Sequence, residues 1–200
     1  MNGQLNSEAV KEANSNRWAR AAKIYGIGYI AALFPGIIFG LLLRLVMGFI
    51  AYFFPHMASG FHLSGTLLIV FLGIAVTLAN SICYTFIFHR SRKSWLVKGL
   101  LFGLLLLIVY GTPLFLSNPN NELFGPQAPL GIALFSASFF IGSSLLAIVF
   151  EYMSKWFDQS KGRLKLAYLS FAILSIPAIL VLINMFIEIF TEMLPKIIKY

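Results

Sequence analysis

Arg44 is a guanidinium set inside a long apolar run, with Ile24 to Leu43 before it and Leu45 to Phe54 after it. A charged side chain at mid-membrane costs about 2.5–3.5 kcal/mol on insertion scales, so it needs a reason to be there. On a helix rising 1.5 Å per residue, Arg44 stands about 32 Å above Lys23, near the outer edge of a ~30 Å hydrocarbon core. One reading has Arg44 snorkel to outer headgroups. The other has it face the bundle, in an ion pair or against a ligand. Glu188 is the natural partner, since it lies about 34 Å along a helix from Lys165. Asn184 and Thr191 share its face, four residues before and three after. The spacing predicts an Arg44–Glu188 pair near the outer end of the bundle, with Glu192 and Glu122 as competing partners. Such a pair would lock helices together or bind a ligand.

A second polar set follows helical spacing: Gly73, Thr77, Asn80, Ser81 and Tyr84. Asn80 lies about 15 Å from Arg90 along a helix, near mid-membrane. An amide there should turn toward other helices and hydrogen-bond across them. This stripe is either a packing seam or the wall of a solute pathway. Thr77 and Asn80 are its candidate site residues.

Other chemistry finds little footing. His56 and His62 lie in one loop and His89 at the opposite rim. They make a metal site only with help from Glu122, so no metal is expected. Cys83 stands alone in an apolar run and reads as a small buried hydrophobe. Glu151, Lys155 and Asp158 read as a solvated rim with an i,i+4 Glu–Lys pair. No His-Glu-x-x-His, Gly-x-Ser-x-Gly or P-loop pattern occurs, and no cofactor is implied.

These residues must be positioned by a chain of 200 residues that is 59% hydrophobic and 11% charged, with a mean hydropathy of +0.85. Soluble domains carry roughly 25% charged residues. So apolar a chain cannot clothe itself in polar groups, and lipid must replace part of the water. The formal charge of +8 sits in short clusters between apolar runs. That points to membrane orientation and anionic lipid headgroups rather than nucleic acid.

Five runs are long enough to cross a bilayer, at about 24–54, 63–88, 99–116, 129–152 and 166–189. Pro55 and Gly60 mark one break, and Asn118-Pro119-Asn120-Asn121 through Pro129 mark another. Twelve of the fifteen Lys and Arg fall into three clusters: Lys11 to Lys23, Arg90 to Lys98, and Lys155 to Lys165. The alternate loops have none, which predicts a cytoplasmic N-terminus and an outer C-terminus. Trp18, Trp95 and Trp156 flank the basic clusters, as interfacial indoles do.

The fold class expected is therefore all-α, a polytopic transmembrane bundle of about five helices forming one domain over 24–192. Residues 1–23 are expected as a cytoplasmic tail or surface helix, and 193–200 as an outer tail. The polar residues ahead of the first run predict a retained signal-anchor rather than a cleaved leader. Small-x-x-x-small patterns occur at Gly36/Gly40, Gly99/Gly103, Ser138/Gly142 and Ser143/Ala147. They predict close helix approach, within the monomer rather than between copies.

The stretch Gly40-Leu-Leu-Leu-Arg44-Leu-Val-Met47, continuing to Phe61-His-Leu-Ser-Gly65-Thr66-Leu67, resembles a family of bacterial multi-pass membrane proteins. In that family a glycine-rich helix ends in Arg-Leu-x-Met and an outer turn leads to Gly-Thr-Leu. The resemblance covers about the first 90 residues. A second basic residue often follows the Met in the family; Gly48 stands there here, which argues against a paired-arginine anion site. The resemblance implies a bacterial cytoplasmic membrane and, since the family has no assigned activity, no particular chemistry.

Three functions follow from these features. The first is a non-enzymatic accessory, sensing or assembly subunit, with a membrane protein partner or a second copy. The second is a small transporter or channel using the Asn80 stripe and Arg44. A lipid-modifying enzyme is the third, and it would need a convergent polar cluster. A water-accessible cavity at Asn80 favours the second; a dry, filled bundle disfavours it.

Overall fold

The computed structural model describes residues 2–55, 62–117 and 125–198, with side chains from Arg17 onward except that of Lys161. Every regular element in them is helical. Helix α1 spans Asn2–Phe53 and α2 spans Leu63–Phe88. Helix α3 begins as Trp95–Leu106, widens through a π turn at Leu107–Gly111 and ends as Thr112–Leu116. Helix α4 is Ala128–Phe157. Helix α5 begins as Lys161–Glu188, widens at Ile189–Met193 and ends as Leu194–Ile198. All five contain a stretch long and apolar enough to cross a membrane. The outside is as greasy as a core, with Leu68, Phe71, Phe86 and Ile176 each at least two-thirds exposed. Such a surface is stable only against lipid or protein.

Several ends differ from the apolar windows. Residues 2–23 continue α1 without a break, because Ala, Glu, Lys and Arg dominate there and no proline intervenes. Helix α3 starts at Trp95 because Ser94 Oγ caps it by accepting from the Val97 N–H. Ser160 does the same for α5 through the Gly162 N–H at 3.3 Å. The expected outer tail from 193 is helical to Ile198.

The two π turns share one cause. Thr112 donates its N–H to Leu107 O, and the next residue is Pro113. Leu194 donates to Ile189 O, and the next residue is Pro195. A proline lacks the N–H and its ring crowds the carbonyl four residues back. Widening the preceding turn by one residue moves the crowded carbonyl aside and keeps the chain helical. Thr112 Oγ1 adds a second bond to Leu107 O at 3.1 Å.

Helix α1 is the hub, packing on α2, α4 and α5, while α3 is held mainly on α4. Glycine makes these approaches close. A Cβ added at Gly73 would sit 2.6 Å from Gly36 O and 2.6 Å from Gly40 N, so the α1 and α2 backbones touch. At Gly99 it would sit 2.6 Å from Ser144 Cα, joining α3 to α4. At Gly26 it would collide with the Ala167 carbonyl of α5. Ser170 Oγ spans that contact, donating to Gly26 O at 2.7 Å. The small-residue patterns are thus used within the chain.

The Lys23 end of the bundle is stitched by polar contacts. Lys23 Nζ meets Asp158 Oδ1 at 2.6 Å, tying α1 to the α4–α5 turn. This pair places the first and third basic clusters on one side. Lys155 pairs with Glu151 at 3.2 Å, as the i,i+4 spacing predicts. Arg163 lies 4.2 Å over the Trp156 ring and donates to Trp156 O at 3.1 Å, fixing the turn.

Two outcomes follow. Gly73→Leu is expected to lower unfolding stability in detergent by about 3 kcal/mol, the upper part of the overpacking range, while Gly48→Ala, with open space around it, is expected to be neutral or to gain up to about 1 kcal/mol. In a Cys83→Ser background, Lys23→Cys with Asp158→Cys is expected to cross-link through a short bis-maleimide in intact membranes; a failure to link would remove the shared side.

Candidate functional site

The polar stripe of α2 turns inward, as its spacing predicts. Gly73, Thr77, Asn80, Ser81 and Tyr84 are all buried. Ser81 is satisfied locally, donating its hydroxyl to Leu78 O at 2.7 Å. Asn80 is not: it is 4% exposed, and its Oδ1 makes no hydrogen bond to the protein. Across from it stands Ser143 of α4, 3% exposed, whose Oγ likewise has no partner.

Asn80, Thr77 and Ser143 line one cavity of about 20 Å³. Phe39 of α1, Leu106 of α3 and Phe139 of α4 complete its wall. A cavity of this size holds a water, which needs about 10–15 Å³ on this measure. Its depth follows from helix rise: Ser143 is about 18 Å along α4 from Lys155 and Asn80 about 15 Å along α2 from Arg90. Both lie near the middle of a ~30 Å hydrocarbon layer.

The cavity exists because α2 approaches α3 and α4 through side chains and not through backbones. One turn toward the Lys23 end from Asn80, Leu106 and Leu146 come Tyr84, Phe102 and Phe150. Tyr84 stacks edge-on with Phe102 at 5.3 Å and with Phe150 at 5.4 Å. These three rings form a floor worth about 0.5–1.5 kcal/mol per pair beyond area burial. On another side, Phe39 and Phe139 pack at 6.2 Å. Large rings therefore hold the helices apart at the level where a serine and an asparagine face each other.

Arg44 lies half-buried on α1 and makes a contact of its own. Glu188, Asn184 and Thr191 share one face of α5, as the spacing requires, but that face is exposed. Thr191 turns back on its own helix, donating to Ile187 O at 2.8 Å. The Arg44–Glu188 ion pair is not formed: the ion pairs among the described residues are Lys23–Asp158 and Lys155–Glu151. The reason is rotational. The inward stripe of α5 runs through Ala178 and Ile189, which turns Glu188 outward.

Two participants escaped the sequence reading. Ser143 looked like one more small residue in a small-x-x-x-small pattern. Asp158 is solvated as expected, with its side chain 63% exposed, but its pairing with Lys23, 135 residues away in the chain, went unread. At the same rim His89 donates Nδ1–H to Thr85 O at 2.7 Å, so it acts as a helix-end clamp. His56 and Glu122 lie outside the described residues. Among the described residues no group of three His, Cys, Asp or Glu could share a metal. No protein-family pattern, curated protein or solved structure matches the chain.

Proposed function

We propose that this integral membrane protein is a non-enzymatic accessory, sensing or assembly subunit that docks a second membrane protein along α5. The proposal places it in a bacterial cytoplasmic membrane, with the Lys23 end in the cytoplasm against anionic headgroups. What supports the docking is the uncovered face of α5. Leu169, Ile173, Ile176, Leu180, Ile183 and Ile187 recur three and four residues apart and are 48–68% exposed. That is the seam spacing of paired helices, with branched residues at every contact. Asn184 and Glu188 sit on the same exposed side, about 28 and 34 Å along the helix from Lys165. An amide and a carboxylate at that depth suit a polar contact with a neighbour or with headgroups.

The cytoplasmic orientation is supported by the charge pattern together with the Lys23–Asp158 contact. Arg163 lies over the Trp156 ring, and Lys155 and Lys165 are close to both in the sequence, a composition that fits anionic headgroups and an interfacial indole.

A second reading, a small transporter or channel, is favoured by the mid-depth polar cavity at Asn80. The lipid-enzyme reading has no such support; among the described residues no group of three His, Cys, Asp or Glu could share a metal.

Purification in mild detergent tests the choice. A stoichiometric membrane protein is expected to co-purify, and Ile176→Ala with Leu180→Ala is expected to cut its yield several-fold without changing the melting temperature. A partner-free monomer whose proteoliposomes pass small solutes would replace the subunit reading with the transporter.

A further inference from the structure

The cavity between α2 and α4 carries an inference independent of α5. Asn80 Oδ1 and Ser143 Oγ are buried with no hydrogen bond to the protein, and both residues line one small space. Leaving such atoms bare costs about 1–3 kcal/mol each, and hydrocarbon offers no relief. The space of about 20 Å³ admits a molecule of water's size and little more. None of the side chains lining it carries a charge. A dehydrated hard cation wants six or more oxygens, and three side-chain oxygens line this wall, on Thr77, Asn80 and Ser143. A bare ion would also meet the full cost of a mid-membrane charge.

We propose that this cavity is a binding site for a small uncharged hydrogen-bond donor of about water's size, held between Asn80 Oδ1 and Ser143 Oγ. The occupant bridges α2 to α4, which lack the extensive backbone contact that α1 makes with each of them. It donates to the Asn80 carbonyl oxygen and to the serine oxygen. Bridging molecules of this kind are nearly as favourable as direct hydrogen bonds. The ring floor of Tyr84, Phe102 and Phe150 screens the site from the Lys23 end.

Millisecond X-ray radiolysis of the whole protein in detergent or nanodiscs tests this. Radicals born from an internal water oxidise the side chains beside it, wherever those side chains lie. Leu146 is 1% exposed and lines the cavity; Ile50 is 0% exposed and does not. Leu146 is expected to oxidise at least five times faster than Ile50. The variant Asn80→Leu with Ser143→Ala, checked for an intact fold by its melting profile, is expected to remove that excess. Oxidation of Leu146 at the Ile50 rate would overturn the site. So would a single Asn80→Leu variant that melts higher than the parent, because a dry amide is better replaced by a leucine.

Discussion

Backbone contact between α1 and α2 sets the geometry of everything else in this bundle. Gly36 and Gly40 lie against Gly73 so closely that no side chain fits between them. Lipid tails are as apolar as leucine, so helices in a membrane gain little by burying leucine against leucine. Close approach, with its dense dispersion contacts and short polar gaps, supplies the attraction instead. The crossing has a side effect. It fixes Phe39, next to Gly40, where its ring meets Phe139 and covers Gly142 of α4. It also fixes the rotation of α2: Thr77 and Asn80, four and seven residues beyond Gly73, continue the same stripe, and they line the cavity beside Phe39 of α1.

The two ends of the bundle are built differently. At the Lys23 end, a charge pair, a serine–carbonyl bond, a cation–π cap and a cluster of edge-on rings fasten helices to one another. At the other end, α3 and α5 each carry a π turn in front of a proline. Thr112–Leu116 packs against the widened Ile189–Met193 segment, and Tyr110 of the first π turn lies 6.1 Å from Phe186. Widened turns have fewer good backbone bonds per residue and shift easily by one residue. The architecture is therefore fastened by polar and ring contacts where the basic clusters gather, and by proline-adapted π turns where the polar face of α5 emerges.

How much of this was legible in the sequence depends on what a linear pattern can carry. The five helices were legible because the bilayer allows only long apolar helices or closed barrels, and the runs have helix length. The inward turn of Asn80 was legible because a mid-membrane amide has few other places to go. Gly36-x-x-x-Gly40 was legible as a close approach, though its partner Gly73 was not. The face of α5 was not legible at all. Spacing showed that Asn184, Glu188 and Thr191 share a side, but a helix that is apolar nearly all round gives no sign of which side meets the bundle. Arg44–Glu188 failed as a pair for that reason, since depth along two helices matched while rotation did not. Lys23–Asp158 lies beyond local spacing altogether. The π turns were hidden because the compensation for Pro113 and Pro195 happens in the turn before each proline and leaves no pattern of its own.

The cavity bears on why a bundle of this composition keeps an asparagine at mid-depth. Leucine would fill the same volume, pack against Phe139 and Leu106, and need no partner. In hydrocarbon an amide is tolerated when its groups are satisfied, so Asn80 is a net cost unless something completes it. Its α2 neighbour Ser81 shows the cheap solution, a bond to its own helix at 2.7 Å, which a short hydroxyl can make and an amide pointing outward from the helix cannot. Ser143 has the short hydroxyl and still leaves its oxygen toward the cavity. Two helices thus hold polar atoms toward one small space from opposite sides, at the one seam where their backbones stay apart. Packing alone would have closed that seam with glycines, as it did between α1 and α2. The seam instead keeps two buried oxygens without a protein partner beside a small space.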